Sequence, residues 1–484
     1  MRRPSDSDGA GGARPISGCP PTASGRAPWA GVLPGNRPQD REVDHDVATP
    51  APSPGPSATS FRARVRHVGG RLSWGVADQA LSSLTNFGIG ICVARLLGTR
   101  EFGAFSLAFV TYYVALNASR GLTTDPLLVR YSGAAPAVWR QAVRSTTGMV
   151  MVLGFVVGAC CVTVGMLLTG SLRMAFVSLG MMLPGLLLQD SWRFSFFAAG
   201  RGGLAFMNDL VWALALVPAL GIAVATHHTD VFWLTLAWGG PALVAAVVGA
   251  VQARLVPRPL AAARWLRGHH DLALRYVGEN LTESGAYQLR TYGVSGVAGL
   301  AAAGSIRAAE LLLGPVNVVV MGISNMAIPE VVRLLRRSAR QLRSFCLVVA
   351  GGQACVALAF GMTMLLLPGR FGSQLLGPSW EPAHRLLLPV TLTAANTGIS
   401  AAAITGLRAL GAASTSLRAR LIAASAAMTG GFLGAAVNGA TGAAWGVFVG
   451  STIGAATWWW HLHKELGVRE ESPGRASQEV SSLS

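Results

Sequence analysis

Between Trp74 and Trp460, apolar runs long enough to cross a bilayer follow one another almost without interruption. A spanning helix needs about 20 mostly apolar residues, because hydrocarbon offers no water and each backbone N–H and C=O must be bonded within the helix. Such runs fall near 74–97, 104–129, 145–169, 174–199, 204–226 and 231–253, then near 277–302, 305–332, 344–367, 385–407, 417–438 and 440–462. The chain is therefore predicted to be an all-α integral membrane protein with about 12 transmembrane helices. Charged residues make up 13% of the 484 positions, about half the share found in soluble domains, which argues against a large soluble domain.

The formal charge of +17 would raise nucleic acid as a partner, but the arginines are spread between apolar runs rather than gathered in one stripe, so none is expected. Their distribution has a topological reading, since basic residues flanking spans are retained on the cytoplasmic side. Arg62, Arg64, Arg66 and Arg71 precede the first span, Arg140 and Arg144 follow the second, and Arg201 follows the fourth. Arg254, Arg258, Arg264, Arg267 and Arg275 follow the sixth, Arg333, Arg336, Arg337, Arg340 and Arg343 the eighth, and Arg408, Arg418 and Arg420 the tenth. The alternation predicts a multi-pass protein of the cytoplasmic membrane with both termini cytoplasmic. Trp458, Trp459 and Trp460 then fall where an interfacial aromatic belt is expected.

The expected organisation is a disordered cytoplasmic tail over 1–60, a six-helix lobe over 61–255, a basic cytoplasmic linker over 256–275, a second six-helix lobe over 276–465 and a disordered tail over 466–484. The two lobes carry a repeat. A shift of 201 positions lays Val76 on Val277, Asp78 on Glu279, Ser83 on Ser284, and the turn glycines Gly98 and Gly103 on Gly299 and Gly304. Leu183-Pro184 and Leu388-Pro389 recur deeper in each half, where a mid-span proline would kink the helix. Two halves of like orientation form a parallel repeat about an axis along the membrane normal, with a central cavity between them.

Asp78-Gln79-Ala80-Leu81-Ser82-Ser83, then Ala94-Arg95-Leu96-Leu97-Gly98 and Phe102-Gly103-Ala104-Phe105, resemble the opening hairpin of the multidrug/oligosaccharidyl-lipid/polysaccharide (MOP) exporter superfamily, in particular its oligosaccharide flippase and polysaccharide transporter branch. The two-by-six topology extends the resemblance over residues 70–465. It implies two lobes around a cavity that opens alternately to each side, and a cargo such as a polyprenyl-diphosphate-linked glycan. Membrane lipids and proteins of envelope glycan assembly are the other partners it implies.

An ionisable group at mid-bilayer costs about 3 kcal/mol on insertion scales, which makes each one a candidate for function. Arg290 lies near the middle of the seventh span, with Glu279 and Glu283 on the same helical face. Arg120, Arg193 and Arg307 also fall inside spans, and arginine suits phosphate because its planar fork binds oxygens bidentately. These four are the candidate substrate-binding residues. Asp190 with Arg193, and Arg307 with Glu310, are also spaced as simple intrahelical pairs. Glu283, Glu279 and Asp78 are the candidates for ion coupling or for polar cavity lining; Asp78 and Asp209, near cytoplasmic ends, are otherwise expected to be solvated or to pair with loop arginines.

Other chemistry finds no support. The six cysteines lack metal-ligand spacing, and no phosphate-binding loop, nucleotide fingerprint or nucleophile elbow occurs, so neither a cofactor nor catalysis is expected. Asn117-Ala118-Ser119 and Asn280-Leu281-Thr282 fit a glycosylation pattern but lie inside spans. The remaining readings are a multidrug exporter of the same fold, a non-transporting scaffold for envelope glycan assembly and, weakest, a glycosyltransferase. The last needs catalytic carboxylates in an outward loop, and the longest, near Pro368–His384, offers only Glu381.

Overall fold

Glycine stands at the first chain reversal of each half, Gly98 with φ −69° and Gly299 with φ 83°. The computed structural model describes residues 58–335 and 338–471, so most of both expected tails lies outside the described residues. In the first half, α1 (Ala58–Leu96) turns at Gly98 into α2 (Thr99–Ser119), which runs through one π-helical turn at Arg120–Thr124 into α3 (Asp125–Tyr131). There follow α4 (Pro136–Leu167), α5 (Gly170–Ala198), α6 (Gly202–Ala225) and α7 (Val231–Ala253). Pro136 opens α4, where its missing N–H costs nothing, and Asp230 caps α7 by accepting the Trp233 N–H at 3.1 Å. In the second half, α8 (Ala262–Ala298) turns at Gly299 into α9 (Leu300–Leu312) and α10 (Gly314–Leu335). Then come α11 (Ala339–Leu365), the short α12 (Gly369–Leu376) and α13 (Trp380–His384), α14 (Leu387–Ala409) and α15 (Ala413–Glu471).

Eight helices among the described residues are long and apolar enough to cross a membrane, nine if the bent pair α9–α10 is one span. The count of twelve is thus not reached on length and composition. Two of the expected spans, α1 and α8, carry polar stripes, and two more are counted as one in α15. That helix breaks at Asn438–Gly439 and folds back on itself, so that Gly430 lies against Gly446 and Gly434 against Gly442. Glycine lets the backbones approach to a distance no Cβ would allow.

The halves meet along two equivalent lines. Gly103 of α2 lies on Gly304 of α9: a Cβ on Gly103 would collide with the Leu300 carbonyl, and one on Gly304 with the Thr99 carbonyl. Leu300 is itself 201 positions after Thr99, so the contact obeys the same pseudo-twofold relation as the sequence. On one side, α2 and α8 are zipped by Thr111 with Tyr292 at 2.6 Å, Asn117 donating to Ser284 at 2.9 Å and Asn280 donating to Asp125 at 2.8 Å. The two sequon asparagines are therefore spent on holding the lobes together. On the other side, α1 meets α9 through Gly90–Leu311 and Phe87–Gly314, but below this the chain bends by 52° between α9 and α10. The two sides thus differ where the sequence repeat is most regular.

The segment Pro368–His384 is no open loop. It folds as α12 and α13 and reaches from the second half onto the end of α1, where Ser379 Oγ donates to the Leu97 carbonyl at 3.3 Å and Gly377 abuts the Arg95 carbonyl. Leu376, Trp380 and Ala383 are buried in the core shared by both halves. The insertion also moves Pro389 into the first turn of α14, where a proline is tolerated, so the mid-span kink expected there does not form; Pro184 does lie inside α5. Gly377 adopts φ 55° and ψ −132°, a backbone region that other residues enter only under strain. Gly377→Ala is expected to cost about 2 to 3 kcal/mol, read as a lower melting midpoint, while Gly369→Ala, whose Cβ meets open space, is expected to change it little.

Candidate functional site

A cavity of about 1090 Å³ lies between the halves, lined by α1, α2, α5, α6, α8, α9, α10, α14 and α15. Gln79, Ser82, Ser83 and Asn86 of α1 and Tyr287, Arg290 and Thr291 of α8 face it. This is why α1 and α8 read as weak spans: their polar faces look onto the cavity rather than lipid. Between α1 and α10, the lining includes the exposed side chains of Leu84, Val318 and Met321. The cavity thus has an apolar edge between α1 and α10.

In the first half, two arginines are held by three carboxylates. Arg120 Nε and Nη2 donate bidentately to Asp190 at 2.9 and 2.7 Å, and its guanidinium lies 4.8 Å from the Phe194 ring centre. Arg193 Nε donates to Asp78 at 2.6 Å and lies 3.4 Å from Asp209, which also accepts from Gln189 at 2.7 Å. Asp78 and Asp209 are 1% and 2% exposed, and Oδ1 of Asp78 and Oδ2 of Asp209 have no hydrogen-bond donor among the described residues. α5 supplies Gln189, Asp190 and Arg193, and these meet Asp78 of α1, Asp209 of α6 and Arg120 of the π-helical turn.

In the second half, two arginines share one glutamate among the described side chains. Arg290 donates to Glu310 at 2.8 Å, Tyr287 donates to the other oxygen of Glu310 at 2.7 Å, and Arg307 donates to the Tyr287 hydroxyl at 3.1 Å. Arg307 is 4.0 Å from Glu310 and lies 5.3 Å over Phe109 of the opposite half. Its charge is the least committed of the four.

The structure brings Arg120, Arg193, Arg290 and Arg307 together around one cavity. Their partners differ in part from those read off spacing. Asp190 bonds to Arg120 rather than to Arg193, whereas the Arg307–Glu310 pair forms at 4.0 Å and Arg290 joins it at 2.8 Å. Asp78 and Asp209 pair with Arg193 inside the bundle, not with loop arginines. Glu279 is exposed and outside the cavity lining, so the stripe expected to run from it to Arg290 does not hold. The Glu283 side chain lies outside the described residues. Asp209, Tyr287 and Glu310 also line the cavity; Asp209 and Glu310 lie near the starts of their apolar runs, so depth in the sequence did not mark them out. Trp458 is buried and Trp459 donates to the Ile399 carbonyl at 3.1 Å, which leaves Trp460, 59% exposed, as the belt residue of the three.

The described residues thus form an all-helical fold of two lobes about a central polar cavity. The chain is similar in structure to a solved inward-facing conformation of a multidrug resistance MATE family transporter of the MOP superfamily (TM-score 0.65, 14% identity, covering 82% of this chain and 99% of that one). It is also similar to the lipid II flippase MurJ in an inward closed conformation (TM-score 0.64, 9% identity, covering 82% of this chain and 89% of that one). At these identities the likeness is one of fold. No protein-family model matches the chain, and no curated protein matches it in sequence.

Proposed function

We propose that the protein is a transporter that moves an anionic amphiphile, of the polyprenyl-diphosphate-linked glycan type, from the inner to the outer leaflet of the cytoplasmic membrane by alternating access. The observation that carries this reading is the cavity's combination of two guanidinium groups that share one glutamate among the described side chains, Arg307 and Arg290, with an apolar edge of Leu84, Val318 and Met321 along which an acyl or prenyl chain would extend. The head group would dock on the second-half arginines while the tail stays between α1 and α10. Rocking of the halves about the glycine crossing would then expose the head group on the far side. The likeness in fold to a multidrug transporter and a lipid II flippase supports transport of amphiphiles in general.

The three carboxylates beside Arg120 and Arg193 favour a second reading, export of a cationic amphiphile. Flipping assays in proteoliposomes separate the two. Arg307→Gln with Arg290→Gln is expected to lower lipid-diphosphate flipping by at least about tenfold, the worth of one or two charge-assisted phosphate contacts. Loss of organic-cation export in Asp209→Asn, with lipid-diphosphate flipping absent from the unmodified protein, would establish the second reading instead.

A further inference from the structure

The opening turns of α4 and the connection from α7 into α8, distant in sequence, bring their arginines to the end of the bundle that the charge distribution assigns to the cytoplasm. The Arg258 N–H donates to the Arg144 carbonyl at 2.8 Å, and Arg144 Nε donates to the Val256 carbonyl at 3.3 Å. Gly148 lets the strands of chain approach, since a Cβ there would collide with the Arg258 carbonyl. Underneath, Leu255 and Trp265 are buried against Trp139 and Val143, and Trp265 Nε1 donates to the Leu122 carbonyl at 3.1 Å. Residues 256–275 are thus anchored on the first half, and from Ala262 onward they are the opening turns of α8.

What faces outward is of one chemical character. Arg140, Arg254, Arg258, Arg264 and Arg267 are exposed. Among the described residues none of them, nor Arg144, lies within ion-pair distance of a carboxylate; the nearby Asp271 is engaged by Arg130 at 2.6 Å. Between the arginines stand Leu260, 101% exposed, and Val256, 69% exposed. The apolar face of α7, through Val247 and Val251 at 65% and 70% exposed, leads directly into Arg254 and Val256. A water-facing surface gains nothing from a fully bared leucine among unpaired guanidinium groups, whereas a phospholipid leaflet matches both, with phosphates for the arginines and acyl chains for the leucine.

We propose that this platform binds anionic phospholipid head groups of the cytoplasmic leaflet, with Leu260 and Val256 inserted below the phosphates. The negative surface of that leaflet attracts juxtamembrane arginine. Bound lipid would hold the opening turns of α8 against the first half.

The test uses the full chain, purified and exposed to phosphatidylglycerol or phosphatidylcholine, with retained lipid counted by native mass spectrometry and stability read from melting. The unmodified protein is expected to retain phosphatidylglycerol selectively and to melt higher with it. Arg140→Gln, Arg258→Gln, Arg264→Gln and Arg267→Gln together are expected to lower that retention about tenfold while leaving the melting midpoint in phosphatidylcholine unchanged. Arg264→Gln with Arg267→Gln alone, which disturbs the fold less, is expected to lower it about threefold. Arg307→Gln, in the cavity, is expected to leave it intact. The proposal is overturned if the unmodified protein shows no preference for phosphatidylglycerol, if the platform variants keep it, or if Arg307→Gln is the change that abolishes it. An acidic protein captured by the platform in the absence of any lipid preference would overturn it as well.

Discussion

Arg193→Leu is expected to be the most damaging single change in the molecule, costing about 3 to 5 kcal/mol. The side chain is 11% exposed and stands between Asp78 and Asp209, which are 1% and 2% exposed. Removing it leaves two carboxylates facing one another in a low-dielectric interior without a cation, and two of their oxygens already lack donors among the described residues. The attraction of the native cluster is not itself the measure of this loss, since taking charges out of water offsets much of it; the damage comes from the charges left behind. A variant that combines Arg193→Leu with Asp78→Asn and Asp209→Asn is therefore expected to recover most of the stability. Tryptophan fluorescence followed through thermal or denaturant unfolding in detergent reads both. A single-variant cost below about 1 kcal/mol would mean that the cluster is open to water and the argument from burial is wrong.

Gly103→Val and Gly304→Val carry the second largest expected effect, about 3 kcal/mol each. Each valine would press on the carbonyl of the opposite helix, Leu300 for the first and Thr99 for the second, and the helices would have to part. Because both residues occupy one crossing, parting the helices for one makes room for the other. The double variant is accordingly expected to cost little more than the worse single one, a strong departure from additivity. Since Ala303, next to Gly304, lines the cavity together with Val294, parting these helices should raise labelling of a cysteine placed at Val294 by aqueous reagents. Additive losses with no change in labelling would show that the glycines are separate packing sites rather than one contact.

The repeat was the most legible feature of the fold, and the glycines explain why. Gly103 and Gly304 sit where a Cβ would strike a carbonyl and Gly299 adopts φ 83°, so three of the four recurring glycines are required by the backbone; Gly98, at φ −69° with open space around it, is not. The cavity was legible in part for a related reason. Arg120, Arg193, Arg290 and Arg307 are each anomalous inside an apolar run, and each proved to line the same space. Glu279 misled because α8 begins well before the cavity, at Ala262, and borders it only from Tyr287 to Val294. Pro389 misled because the α12–α13 insertion shifts the start of α14, an offset that no local pattern announces.

The amino-acid order alone determined that the chain is helical, where most helices begin and turn, and which charged groups sit at depth. These are local matters, settled by apolar run length, by turn residues and by the need of each backbone group for a partner within its own helix. The tertiary structure decided which carboxylate each arginine takes, which side of the cavity stays zipped and which bends open, and that the opening turns of α4 and the α7–α8 connection bring their arginines to one end of the bundle. Those outcomes depend on how each helix is rotated about its axis against its neighbours. Spacing of three along one helix offers Asp190 to Arg193, but Asp190 reaches Arg120 across the bundle with two aligned hydrogen bonds, a geometry that packing alone supplies.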